Sequence, residues 1–122
     1  MRYRHHRNDC AAILVATGEV FNAGTKFGLD PRVMQQIVSA SSGDSFMSSI
    51  VWPKAISPET WDFGFTTQLM KKDVDIGMSI LQAMGMKATV SSESAAVWSD
   101  ALSMMGSNTD MTEIVKFLRK SD

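Results

Sequence analysis

The stretch that decides the fold reads FTTQLMKKDVDIGMSILQAM and spans residues 65–84. Successive residues of an α-helix are 100° apart, and at that spacing the apolar side chains gather within about 40° of Met70 and along one flank of it. This periodicity predicts one long amphipathic helix over about 67–84. Thr66 or Thr67 is predicted to be its N-cap residue.

Three charged residues take different angles on this predicted helix. Asp73 falls about 60° from Met70, inside the apolar face, whereas Lys72 falls just beyond that face and Lys71 points towards solvent. A carboxylate among apolar neighbours is costly unless it is paired or hydrogen-bonded, so Asp73 needs a partner. Two interpretations are open. Asp73 bonds a nearby loop amide while Lys72 extends to water, or Lys72 offers its charge to an anionic ligand while Asp73 supports the local geometry.

The helical period recurs on both sides of this stretch, and two-residue alternation is almost absent. Gly28 predicts the end of a first helix, and Asp30 followed by Pro31 predicts the N-cap and first residue of a second. The chain is therefore predicted to be all-α, with five or six helices over about 11–27, 31–40, 45–52, 67–84, 91–105 and 110–119.

Single residues predict three further boundaries. Pro53 and Pro58 bracket a predicted loop between the third and fourth helices, because proline lacks the N–H that a helix interior needs. Gly106 predicts the end of the fifth helix, and Thr109 predicts the N-cap of the last one.

Length, charge and cysteine content exclude several classes of protein. The chain has 122 residues, a net charge of −1 and a pI of about 6.1, so it is not a basic nucleic-acid-binding protein. Its longest uncharged apolar run, Ala11 to Thr17, is far shorter than the roughly 20 residues of a membrane span. Cys10 is the single cysteine, so a reducing, cytoplasmic compartment is predicted.

Residues 1–10 differ from the rest and are rich in arginine and histidine. This basic head is predicted to be frayed or disordered, and residues 11–122 are predicted to form a single helical domain. His5 and His6 are adjacent, so their side chains diverge and predict no metal site. The sequence has no GxGxxG, Walker, CxxC or HExxH pattern, and its only histidines lie in the head. It therefore holds no complete catalytic set.

Four motifs in order resemble those of the C-terminal helical domain of β-hydroxyacid dehydrogenases, of the 3-hydroxyisobutyrate dehydrogenase and tartronate semialdehyde reductase type. The likeness covers about residues 15–120 and implies a bundle like the C-terminal domain of 6-phosphogluconate dehydrogenase. The motifs are Glu19 with Phe27-Gly28-Leu29-Asp30-Pro31, the loop from Ser39 to Phe46, Gly64-Phe65 with Leu69-Met70-Lys71-Lys72-Asp73, and the helix spacing from Gly85 to Leu118.

The resemblance implies that cofactor and substrate bind to different parts of a larger, two-domain enzyme. In this family an N-terminal Rossmann domain binds NAD or NADP, and substrate binds between that domain and the helical one. Lys72 matches a lysine that approaches the nicotinamide end of the cofactor, and Phe65 matches an aromatic residue near the cleft. The loop residues Ser42, Gly43 and Ser45 match a segment implied to contact a small hydroxy-carboxylate.

The chain also departs from the family at the catalytic lysine, which lies in a KxxNN motif near the start of the long helix. Counting back from Glu19 places Tyr3 at the lysine position, with His6 and Arg7 at the asparagine positions. A shift of one residue places Arg4 at the lysine position instead, and arginine is a poor proton shuttle because a guanidinium group holds its proton tightly. The Rossmann domain is missing as well, so the chain alone is not expected to bind NAD(P) or to catalyse hydride transfer.

Two functions remain open at this point. The chain is the substrate and dimerisation domain of an NAD(P)-dependent 3-hydroxy acid dehydrogenase, or it is a stand-alone, non-catalytic helical module for dimerisation or small-ligand binding. Small residues along the first helix would let another helix approach closely, and with methionine-rich helices they predict a homodimer: Ala16, Gly18, Ala23 and Gly24.

Overall fold

The computed structural model describes residues 6–120, and its elements are all helical, which confirms the predicted all-α class. One β-bridge, between Thr66 and Asp110, is the only β pairing in that part of the chain. The elements in order are α1 His6–Phe27, α2 Pro31–Ser39, a π-helix Met47–Ile56, α3 Thr67–Ala83, α4 Thr89–Met105, a 3-10 turn Met111–Glu113 and α5 Ile114–Lys120.

The basic head is helical wherever the structure describes it. α1 begins at His6 and includes residues 6–10, whereas residues 1–5 lie outside the described residues, so the fraying of the head stays a prediction. This extension adds more than one turn to the first helix and places Arg7 and Asn8 on the bundle. Asn8 is buried at 7% exposure beside Gly77 of α3, where a side chain larger than hydrogen would collide with its amide.

The core forms where α1 packs between α3, α4 and α5. Trp98 of α4 is completely buried, and its indole N–H donates to the carbonyl of Ala11 in α1 at 3.2 Å. The other large side chains that are fully buried come from α1, α3, α5 and the π-helix: Leu14, Met70, Ile114, Val51, Val74 and Val115. One continuous apolar cluster therefore holds the N-terminal half of α3 against the other helices.

Of the four small residues noted on α1, the two glycines contact neighbouring helices of the same chain. Gly18 lies against Leu118 of α5, with a Cβ position only 2.9 Å from the leucine Cδ1, and Gly24 lies against Met34 of α2. Ala16 and Ala23 are exposed. The close approach predicted from these glycines therefore occurs within the chain, between α1 and its own neighbours.

The π-helix Met47–Ile56 replaces the short helix and proline loop predicted for this region. Its wide turns are visible where the N–H of Ser57 donates to the Trp52 carbonyl, five residues earlier, at 2.8 Å. Pro53 lies inside this helix, so the prediction that Pro53 opens a loop is wrong.

The reason lies in the neighbouring helix α2. Pro53 has no N–H and cannot donate to the Ser48 carbonyl five residues before it. That carbonyl instead accepts the Gln35 side-chain amide at 2.8 Å and the Ser39 hydroxyl at 3.3 Å, both from α2. Because α2 side chains donate to the Ser48 carbonyl in place of Pro53, the helix continues through the proline without an unpaired carbonyl.

Most predicted helix boundaries are confirmed, but the last N-cap is not. Asp30 caps α2 with Pro31 as the next residue, Thr66 caps α3, and Gly106 ends α4. Thr109 was expected to cap the last helix, whereas Asp110 does so in a reciprocal capping box with Glu113.

Candidate functional site

The candidate site lies where the N-terminal turns of α1 and α3 meet. Nε of Arg7 lies 3.6 Å from Oδ2 of Asp73, whose side chain is only 14% exposed. Periodicity placed this carboxylate among apolar neighbours and required a partner for it. Arg7 supplies a positive charge beside it, because α1 starts early enough to reach α3.

Phe65 joins the same cluster from the segment that leads into α3. Its ring centroid is 4.8 Å from the Arg7 guanidinium carbon, which is a cation–π contact. The backbone that carries Phe65 is held by Asp110, whose carboxylate accepts the N–H groups of Gly64 at 2.9 Å and Phe65 at 3.3 Å. Gly64 adopts φ 103°, a left-handed conformation that favours glycine. Arg7 therefore lies between an aromatic ring and a carboxylate in a fixed geometry.

Lys71 and Lys72 are adjacent in sequence but differ in their ion pairing. Nζ of Lys71 lies 2.7 Å from both carboxylate oxygens of Asp75, so its charge is neutralised rather than free in solvent. Lys72 is exposed and has no ion-pair partner within residues 6–120. Both line an open depression of about 650 Å³ on the outer side of α3, together with Gln68, Leu69, Asp75, Ile76, Ser79 and Leu102. Lys72 therefore borders a concavity, as the helical angle predicted.

The serine-rich loop before the π-helix uses its polar groups internally. The Ser45 N–H donates to the Ser48 hydroxyl at 2.9 Å, and the Ser48 N–H donates to the Ser45 hydroxyl at 3.0 Å. The Asp44 carboxylate accepts the hydroxyls of Ser49 and Ser48. These hydrogen bonds, above all that from Ser49, lower the pKa of Asp44 below its ordinary value of 3.8. The loop therefore carries a negative charge at neutral pH.

The structure brings some of the candidate residues together and leaves others apart. Phe65 and Asp73 both contact Arg7. Lys72 precedes Asp73 in sequence, but it lines a depression that none of these three residues lines. The exposed Ser42 and Gly43, with Ser45, do not line the depression beside Lys72. The loop approaches the segment before α3 through Phe46, whose ring is 6.1 Å from that of Phe63.

Sequence reasoning missed Arg7 as a member of the site. The sequence showed that the carboxylate of Asp73 needs a partner, but it did not show which residue supplies one. Within residues 6–120, histidine, cysteine and acidic side chains form no cluster of three that could hold a metal ion. None of the described helices is long and apolar enough to cross a membrane.

Residues 10–118 match the model of a protein family described as "NAD-binding of NADP-dependent 3-hydroxyisobutyrate dehydrogenase". Bovine mitochondrial 3-hydroxyisobutyrate dehydrogenase is 25% identical over 118 residues, which is 92% of this chain and 35% of the relative. The Pseudomonas aeruginosa 3-hydroxyisobutyrate dehydrogenase is 30% identical over 78 residues, or 59% of this chain and 26% of that enzyme.

Solved structures give the same picture of the fold. Mycobacterium tuberculosis 3-hydroxyisobutyrate dehydrogenase with L-serine superposes with a TM-score of 0.83 at 21% identity, covering 93% of this chain and 41% of that one. The Salmonella typhimurium 3-hydroxyisobutyrate dehydrogenase superposes with a TM-score of 0.80 at 15% identity, covering 92% and 39%. The chain thus spans about a third of the length of the mammalian relatives it matches.

Proposed function

The chain belongs to the NAD-binding 3-hydroxyisobutyrate dehydrogenase family, and on that premise we propose that it is the helical, substrate-side domain of an NAD(P)-dependent 3-hydroxy acid dehydrogenase. The observation that carries this proposal is the contrast between the two lysines of α3. Lys71 is bound to Asp75, whereas Lys72 keeps an unpaired ammonium group at the edge of a depression. An unpaired cation on a concave surface favours an anionic ligand.

The depression fits one end of the cofactor rather than the whole of it. It offers one free cation, the exposed Gln68 amide and an apolar wall that includes Leu69 and Leu102. The sequence has no glycine-rich loop to cradle a pyrophosphate. Lys72 would therefore hold the nicotinamide end or the substrate carboxylate, and a Rossmann domain would hold the rest. A nicotinamide cofactor bound there would supply the hydride acceptor for oxidation of the substrate alcohol.

The neighbouring cluster supports Lys72 rather than acting on the substrate itself. Arg7 is engaged by Asp73 and by the Phe65 ring, and this pins the first turn of α1 to the start of α3. Arg7 lies outside the depression beside Lys72, so it does not take the place of a catalytic lysine there. The proposal therefore assigns this chain binding and positioning, and no hydride transfer by itself.

Removing the Lys72 ammonium group is expected to weaken cofactor and substrate binding about tenfold, since one charge-assisted contact is lost. The test uses a chimera in which this chain replaces the matching region of the bovine relative. Calorimetry then measures NADPH and NADH binding in the presence of L-serine or 3-hydroxyisobutyrate, with and without Lys72→Ala.

The control is the double variant Lys71→Ala with Asp75→Ala, which removes a lysine from the same depression without changing its net charge. Binding within about twofold of the parent is expected for it, because the removed groups neutralise each other. Equal losses for the control and for Lys72→Ala would contradict the proposal. A parent chimera that binds neither cofactor would contradict it as well.

A second candidate function, self-association, is favoured by apolar side chains left uncovered on α1 and α4. Val20 and Val90 are 65% and 76% exposed, and Val90 lines a groove of about 340 Å³ together with Ala12 and Ala16. A second copy of the chain would cover this face. Light scattering at high micromolar concentration is expected to give a dimer that Val90→Glu converts to monomer. Ile37→Glu, on an equally exposed apolar site of α2, is expected to leave it dimeric; a monomeric parent chain contradicts this assignment.

A further inference from the structure

A second cleft lies at the far end of α1 from Arg7. The C-terminal part of α1, the start of α2, the end of the π-helix and the last turn of α5 surround a cavity of about 490 Å³. Asn22, on its wall, lies roughly 22 Å from Arg7 along the helix axis, at 1.5 Å per residue. The cleft shares no lining residue with the depression beside Lys72. Nothing in the dehydrogenase assignment uses it.

Two guanidinium groups and one carboxylate line this cleft. Arg119 is held in place, because its Nε donates to Oδ1 of Asn22 at 3.1 Å and its Nη1 lies 3.5 Å from Oε1 of Glu59. Arg32 is exposed and pairs with no carboxylate in the described part of the chain. Asp30, two residues before it, accepts the Arg32 backbone N–H at 2.9 Å. The lining therefore carries one positive charge in excess.

The one carboxylate on the rim is held loosely. The side chains of Arg119 and Glu59 are 45% and 65% exposed, and an ion pair that exposed contributes little to stability. An incoming oxyanion can therefore take the place of Glu59 on Arg119 at little cost. It would gain a bidentate contact with a guanidinium group that is already oriented.

The floor of the cleft is aromatic. Phe21 and Trp52 pack edge to face with ring centroids 4.6 Å apart, and Ile56 lies beside them in the lining. Both rings are buried, at 3% and 4% exposure, so an aromatic group of a ligand would contact them only at the base of the cleft. The cleft thus joins a cationic rim to an aromatic base.

Two residues at or beside the rim have a left-handed backbone conformation. Glu59 and Trp61 adopt φ 57° and φ 54°, conformations that side-chain-bearing residues rarely take. Both are held there, since the Glu59 N–H donates to Ile56 at 2.9 Å and the Trp61 N–H donates to Ala55 at 3.0 Å. Strain of this kind concentrates at ligand clamps and switch regions. Here it sets the Glu59 carboxylate on the rim and the Trp61 ring 5.7 Å from the Arg119 guanidinium.

We propose that this cleft is a second ligand site, which binds a small molecule made of one oxyanion on an aromatic body. Arg32 and Arg119 hold the oxyanion, a carboxylate or a phosphate, and the Phe21–Trp52 floor takes the ring.

The test titrates phenyl phosphate and benzoate into the isotopically labelled chain and follows the Trp52 indole and Arg119 Nε signals by NMR. Saturable shifts of both signals are expected. Arg32→Gln is expected to raise the dissociation constant about five- to tenfold, because one charged contact is lost. The matched control is Lys26→Gln, an exposed cation of α1 outside the cleft, which is expected to change it less than about twofold.

Neutral benzyl alcohol and inorganic phosphate separate the two halves of the proposal, and each is expected to bind at least about fivefold more weakly than phenyl phosphate. Tighter binding of benzoate or of phenyl phosphate identifies the preferred head group, and either supports the site. Equal binding of inorganic phosphate, or no response to Arg32→Gln, overturns it. Lys72→Ala is expected to leave this binding unchanged, so failure here is distinct from failure of the dehydrogenase assignment.

Discussion

Replacing Trp98 with alanine is expected to lower the free energy of unfolding by about 3–5 kcal/mol. Trp98 is completely buried, and its ring fills the space between α1 and α4 while its indole N–H donates to Ala11. Removal of the ring leaves a cavity that the packed helices cannot close. Since a domain of this size is stable by about 5–15 kcal/mol in all, much of the total is lost. Urea unfolding followed by circular dichroism measures the change.

Trp98→Phe keeps the test informative if the alanine variant does not fold. Phenylalanine fills part of the space and leaves no buried donor unpaired, so a loss of about 1–2 kcal/mol is expected. Met104→Ala, on the same helix but at a site that is 77% exposed, is the control and is expected to unfold like the parent. A Trp98→Ala variant that unfolds like the parent would show that this residue is not the centre of the core.

Replacing Asp110 with alanine is expected to cost about 2–4 kcal/mol, because four hydrogen bonds to one carboxylate are lost together. Its two oxygens accept the backbone N–H groups of Gly64, Phe65 and Thr112, and the Thr112 hydroxyl. The same carboxylate thus caps the last helix and holds the segment that carries Phe65. Thermal unfolding measures the first effect, and the NMR signals of Phe65 and Arg7 report the second.

Asp110→Asn separates the two roles. An amide oxygen still accepts hydrogen bonds on one side, whereas its NH₂ group repels the donors on the other, so an intermediate loss is expected. Thr109→Val, which removes only the neighbouring hydroxyl, is the matched control and is expected to cost no more than about 1 kcal/mol. An Asp110→Ala variant that leaves the Phe65 signals in place would contradict the positioning role.

Local chemistry predicted the helices well because it acts between residues close in sequence. Gly28, the Asp30–Pro31 pair and Gly106 mark observed boundaries, since a cap depends on the few residues beside it. Periodicity also placed Lys72 at the edge of a depression, because the angle around a helix axis is fixed by residue number alone.

The predictions that failed depend on partners far away in the chain. Thr109 fits an N-cap by its type, but its hydroxyl donates to Thr67 and its neighbour Asp110 takes the cap. Arg7 was missed as a site residue because nothing near it in sequence fixes it. Its contacts are with Phe65, just before α3, and with Asp73, on α3, which are both far from it in sequence. The cleft beside Arg32 likewise could not be predicted from the sequence, since residues of four separate elements line it.

The proline inside the π-helix has a consequence for a helix that does not contain it. None of the side chains of α2 is fully buried, so apolar packing alone holds this helix on the bundle only weakly. Part of its anchorage comes from Gln35, which docks on a carbonyl that Pro53 is unable to serve. Any residue with its own amide proton at position 53 would compete for that carbonyl and loosen α2 from a distance. Because Pro53 lacks an amide proton, the Ser48 carbonyl is left available to bind Gln35 of α2.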